Sequence, residues 1–75
     1  MNNLNDLDWR LKNWRNKLAV RKGIEPFKIL QNKTIEEIAA KKPATPEELR
    51  AVKGIGDKKL KEYGGEILKI IAARE

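Results

Sequence analysis

Apolar residues recur at steps of three and four from the beginning of the chain. Leu4, Leu7, Leu11, Trp14 and Leu18 fall on one stripe of a 3.6-residue helix. The spacing predicts an amphipathic helix over 4–22, ended by Gly23 after Arg21 and Lys22, whose charges suit a helix C-terminus. Trp9 falls almost opposite the stripe, beside Asn13, Asn16 and Val20. The next segment, IEPFKILQN at 24–32, places Phe27, Ile29 and Leu30 after a proline. It is too short for a long helix, and one helical turn or a short helix starting at Pro26 is predicted.

Two capping boxes follow. In Thr34-Ile35-Glu36-Glu37 the hydroxyl can accept from the amide three residues on while Glu37 reaches back, so a helix is predicted to start there with Ile35, Ile38 and Ala39 inward. It stops before Pro43, because the residue ahead of a proline avoids helical angles. Thr45-Pro46-Glu47-Glu48 repeats the device, with Pro46 at the first helical position and Leu49 and Val52 facing inward. Beyond a glycine turn at 54–56, Leu60, Tyr63, Ile67, Ile70, Ile71 and Arg74 share one face of a last helical stretch, which Gly64-Gly65 is expected to break or kink. No segment alternates as a strand does. The pattern predicts an all-α fold: a compact bundle of about five short helices around a single core, one domain over 1–75.

Composition narrows the chemistry. A chain of 75 residues buries only about 60% of its unfolded surface, which leaves no room for a deep active site. It has no cysteine and no histidine, so disulfides, thiolate metal sites and the commonest general base at neutral pH are all excluded. Glu36-Glu37 and Glu47-Glu48 are paired carboxylates, but both fall in first helical turns, where acids stabilise the helix dipole. The phosphate-loop signature is missing. No catalytic residue, metal or cofactor is therefore expected. There is no long apolar run and no signal pattern at MNNLNDLDW. A cytoplasmic chain with no membrane contact is expected, at the nucleoid of a bacterium or in the nucleus of a eukaryote.

Charge points to a partner. The net charge of +6 and pI near 9.8 favour an acidic ligand, nucleic acid first, with solubility as the plainer explanation. Residues 1–22 carry six basic and two acidic side chains, so +4 of the total lies there. In VKGIGDKKL, at 52–60, Gly54 can take an angle that ends a helix, Ile55 can plug the core, and Gly56 lets the next helix begin close by. Free amides at that helix start could hold a phosphate oxygen, with Lys53, Lys58 and Lys59 around them. Asp57 in the same turn would repel one. The motif therefore reads first as the hinge of a helix-hairpin-helix-like element and second as a contact site.

The run from Gly23 to Ile71, with Trp14-Arg15 and Ala19 ahead of it, resembles the HRDC domain of helicases and RNase D-type exonucleases. The resemblance spans about 4–73. It rests on Gly23, Pro26, Phe27, Ile29, Leu30, Thr34-Ile35, Ala39, Pro43, Glu48-Leu49, Gly54-Ile55-Gly56, Lys59, Tyr63-Gly64 and Ile67, in order and spacing. Phe27 stands where the family usually has tyrosine, and Asn32 where aspartate is common. The resemblance implies a five-helix auxiliary module, without ATPase or nuclease chemistry, that helps RecQ-like and other helicases engage DNA or RNA. Met1 running straight into the first helix fits a module excised from a longer chain.

The expected partner is single-stranded or partly single-stranded DNA, with RNA as the variant, held weakly by a monomer. The candidate contacts are Arg21, Lys22, Lys28, Lys41, Lys42, Lys53, Lys58 and Lys59 on phosphates, with Phe27 as the aromatic for base stacking. Trp14 and Tyr63 are assigned to the core. The alternative is a docking module that contacts other domains of a parent helicase or RNase D-like exonuclease, or a protein partner, through Trp9.

Overall fold

The computed structural model describes residues 3–73, with side chains from Asp6 onward. In chain order it comprises α1 (Asn3–Lys22), a 3₁₀ turn (Pro26–Lys28), α2 (Asn32–Lys41), α3 (Pro46–Arg50) and α4 (Asp57–Ala72). Among the described residues there is no strand, and no helix is long and apolar enough to cross a membrane. The all-α prediction holds.

The stripe on α1 organises the bundle. Leu7, Leu11 and Ala19 are buried, and Trp14 and Leu18 pack at the edge of the core. Leu4 and Arg74 lie outside the described side chains. Gly23 ends the helix at φ +69°. Its amide donates to Val20 O and that of Ile24 to Ala19 O, the paired bonds of a Schellman motif, which needs a left-handed residue between them. Across the core, Ile29, Ile35, Ile38, Leu49 and Ile67 are fully buried. Tyr63 is buried too, and Trp14 meets its ring edge-on at 6.1 Å and 77°.

One charged residue holds the first connection. Arg15 is 7% exposed, and its Nη1 donates to Leu30 O at 2.9 Å and to Asn32 Oδ1 at 2.7 Å. Burial pushes its pKa below the ordinary arginine value, with the negative charge of Asp8 opposing the shift. A buried guanidinium persists because its donors are satisfied.

Two local predictions need correction. α2 starts at Asn32, two residues before Thr34, and its N-cap is Gln31, which makes no side-chain cap bond. The Thr34 capping box does not form. Arg15 anchors Asn32 and the helix begins there, which leaves Thr34 buried in the first turn against the Gly54 backbone. The second box does form. Thr45 Oγ1 accepts from Glu48 N at 3.2 Å, while Glu48 Oε1 accepts from Ala44 N at 2.8 Å, one residue upstream of the usual partner.

The expected break at Gly64-Gly65 is also absent: α4 runs unbroken for 16 residues. Gly64 is buried, and a Cβ there would lie 2.9 Å from Leu60 Cδ1 and 3.8 Å from Leu49 Cδ2. The tight approach is to Leu60, one turn back on the same helix, whereas the distance to Leu49 of α3 is ordinary van der Waals contact. Each mid-helix glycine costs about 1 kcal/mol against alanine, and burial of Tyr63 and Ile67 on either side offsets it. The fifth helical segment is thus the 3₁₀ turn, not a second half of α4.

Candidate nucleic-acid interface

The α3–α4 hairpin forms as its spacing predicted. Gly54 has φ +98° and Ile55 is 5% exposed. Gly56 is the N-cap of α4 and makes no side-chain cap bond. Asp57 stands in the first turn, where its carboxylate pairs with Arg50 of α3. The amides at this helix start therefore share their space with a carboxylate already drawn toward the neighbouring helix.

Lys59 has a different task from the one expected. Its Nζ donates to Lys28 O at 3.1 Å and Ile29 O at 3.0 Å. It ties the carbonyl end of the 3₁₀ turn to α4 and so fixes the segment that carries Phe27. Phe27 itself is 57% exposed. Pro26 limits the backbone on its N-terminal side, and the 3₁₀ bonds from Lys28 N to Glu25 O and Ile29 N to Pro26 O close the turn.

A line of cations extends from that turn. Tyr63 follows Lys59 by four residues, on the same face of α4. Lys22 Nζ lies 5.3 Å from the Tyr63 ring centre and donates to its hydroxyl at 3.3 Å, a cation–π contact that draws the end of α1 onto α4. Arg21, one residue away, instead lines a hollow with Trp14, Lys17, Leu18 and Val20 and so stands apart from the expected group, while Lys58 is exposed in the first turn of α4. Lys28 is partly engaged by Glu25 at 3.5 Å. Lys22, Phe27, Lys28, Lys58 and Lys59 thus gather around the turn and the first half of α4.

Lys53 points elsewhere. With Gln31, Lys33, Thr34, Glu37 and Gly54 it borders a shallow hollow of ≈ 450 Å³ at the start of α2. The first turn of α2 carries no acid, unlike that of α4, so the positive end of its dipole is uncompensated there. Segment 29–31 links this hollow to the Phe27 turn. Lys33 is a cation that the sequence pattern missed, because its place beside Lys53 follows from α2 starting two residues early. Lys41 and Lys42 lie at the far end of α2 from Lys33, and Lys41 reaches the hollow only through its pairing with Glu37. Eight residues of helix separate Lys33 from Lys41, about 12 Å at 1.5 Å per residue, and Lys41 pairs with Glu37 at 3.1 Å. Lys42 caps α2 in the left-handed conformation, φ +48°.

Comparison with known proteins agrees with this architecture. The HRDC domain family model matches residues 7–71. The chain is 34% identical over 64 residues to the ATP-dependent DNA helicase RecQ of Bacillus subtilis (strain 168), covering 85% of this chain and 11% of that protein. It is 31% identical over 65 residues to the ATP-dependent DNA helicase UvrD2 of Mycobacterium tuberculosis (strain ATCC 25618 / H37Rv), covering 87% and 9% respectively. It therefore spans about a tenth of the length of these curated relatives. Among solved structures, "D. radiodurans RecQ HRDC domain 3" superposes with a TM-score of 0.87 at 36% identity, covering 93% of this chain and 92% of that one.

Proposed function

The chain belongs to the HRDC domain family, and we propose that it is the non-catalytic, nucleic-acid-binding accessory domain of a DNA helicase of RecQ type. The observation that carries this reading is Phe27, more than half exposed on a turn that Lys59 fixes from behind. A base of single-stranded or partly single-stranded DNA stacks on the phenyl face, and such a stack is worth about 1–3 kcal/mol. Lys28 and Lys58 meet flanking phosphates as flexible point charges that position the strand without reading its bases. Lys53 and Lys33 extend the path toward the start of α2. Lys59, Lys41 and Lys42 contribute at most background charge, since the first is engaged with carbonyls and the other two lie beyond the line.

Binding of a fluorescent oligothymidine to the isolated domain tests this. Affinity should fall as salt rises, with a log–log slope near −2 to −3 for about three or four phosphate contacts at roughly 0.7 each. Phe27→Ala should weaken binding about 5- to 140-fold with an unchanged melting temperature, and Phe27→Tyr should retain it. Absence of measurable binding to any DNA or RNA at low salt defeats the proposal. A second reading, docking onto a protein or onto another domain of the parent helicase, is favoured by Trp9, which stays 63% exposed on α1.

A further inference from the structure

α1 has two flanks with different neighbours. On one, Lys12 pairs with Glu36 of α2 and Arg15 reaches Leu30 and Asn32. On the other, Arg10 Nη1 donates to Ile70 O at 2.9 Å and Ala73 O at 2.8 Å, closing α1 onto the end of α4. The Phe27 turn is held from both sides, by Arg15 through Leu30 O and by Lys59 of α4 through Lys28 O and Ile29 O. The second flank carries a groove of ≈ 560 Å³ between α1 and α4, lined among others by Arg10, Trp14, Lys17, Glu66, Lys69 and Ile70. A second hollow of ≈ 490 Å³ adjoins it, sharing Trp14 and Lys17 and walled by Leu18, Val20 and Arg21.

Three observations meet on this surface. Val20 is 81% exposed and lines the hollow. Trp9 is four residues, one helical turn, before the groove residue Asn13. Two of the three large hydrophobics exposed among the described residues therefore lie along one flank, while the third, Phe27, is on the 3₁₀ turn. Charge adds the third point. Arg10 is committed to Asp6 and to the α4 carbonyls, whereas Lys17 and Lys69 make no ion pair among the described residues and only Glu66 opposes them in the lining.

We infer that this groove docks an acidic segment of a partner protein, one that places large apolar side chains on Trp14, Leu18 and Ile70 and carboxylates against Lys17 and Lys69. The inference rests on the docking reading and gives it a surface and a chemistry. An aliphatic floor offers bases little to stack on, and Trp14 already meets Tyr63 edge-on. Aliphatic and aromatic side chains with acidic neighbours satisfy both the floor and the rim.

Two synthetic amphipathic peptides provide the test. They share leucine and phenylalanine positions and carry either glutamate or lysine between them; each is titrated into the ¹⁵N-labelled domain at low salt, as is oligothymidine separately. The glutamate peptide should saturably shift the amides of Asn13, Lys17, Lys69 and Ile70 and alter tryptophan emission, and the lysine peptide should not. Trp9→Ser with Val20→Ser, both exposed and so neutral for folding, should weaken the glutamate peptide about tenfold and leave oligothymidine binding unchanged. Lys17→Glu with Lys69→Glu should reverse the preference between the peptides. If the lysine peptide seats equally well or alone, docking survives and the acidic chemistry is overturned. If neither peptide moves these amides, or oligothymidine moves them instead, the inference falls altogether.

Discussion

Substituting Gly54 by alanine perturbs the hairpin in two ways that can be separated. At φ +98° an L-residue is strained, by about 1–2 kcal/mol. The added methyl would also run into Thr34 Oγ1, with Thr34 Cγ2 at 3.3 Å and Cβ at 3.4 Å. Turning the Thr34 side chain does not clear it, because the whole of that buried side chain lies beneath the glycine. Overpacking of this kind costs about 1–3 kcal/mol, so the total loss is about 2–5 kcal/mol. A domain of this length has roughly 4–11 kcal/mol of stability in all, at ~0.05–0.15 per residue. The melting temperature should drop by roughly 8–40 °C, at about 4–8 °C per kcal/mol. Urea unfolding followed by far-ultraviolet circular dichroism, repeated in a Thr34→Ala background, completes a double-mutant cycle. There the clash term of about 1–3 kcal/mol should vanish and the backbone term of about 1–2 should remain. A Gly54→Ala variant within about 0.5 kcal/mol of the parent would refute the hinge. An equal loss in both backgrounds would refute the close approach of α2 to the hairpin.

Other perturbations probe separate joints of the structure. Gly65 is exposed in mid-α4, with open space where a Cβ would sit, so Gly65→Ala should raise the melting temperature by about 4–8 °C through roughly 1 kcal/mol of helix propensity; no gain would indicate a broken helix. Arg15→Met removes the donor to Leu30 O and Asn32 Oδ1 and should lose about 2–3 kcal/mol in urea unfolding, a near-neutral result arguing that the buried guanidinium is incidental. Lys59→Met frees the carbonyls of Lys28 and Ile29. It should speed amide exchange at 27–29 and weaken oligothymidine more than Lys58→Met does, whereas equal effects would mean that Lys59 acts only as surface charge.

What was legible in the sequence was local. The stripe from Leu7 to Leu18, the glycine stop at 23, the Thr45 cap and the Gly54-Ile55-Gly56 turn each state their structure within a few residues, through periodicity, capping chemistry and allowed backbone angles. Those signals were enough for an all-α bundle and for the family resemblance that the comparison with known proteins bears out. The failures share a cause. Thr34 carried a capping signal, yet the helix started at Asn32, which Arg15 holds from 17 residues away. Gly64-Gly65 carried a breaking signal, yet burial of Tyr63, Gly64 and Ile67 against the core keeps that helix whole.

The candidate surface divides the same way. Residue type alone marked Phe27 as a stacking aromatic and the lysines as phosphate contacts, and net charge marked the class of partner. Only the tertiary structure decided that Phe27 points outward, that Lys59 supports its turn, that Lys33 joins Lys53, and that Lys41 and Lys42 stand elsewhere. Helix periodicity fixes angles about one axis and carries no information about which other axis lies alongside. A side chain's neighbours across 17 or 31 residues are set by how the buried faces interlock, and that is a property of the packed core.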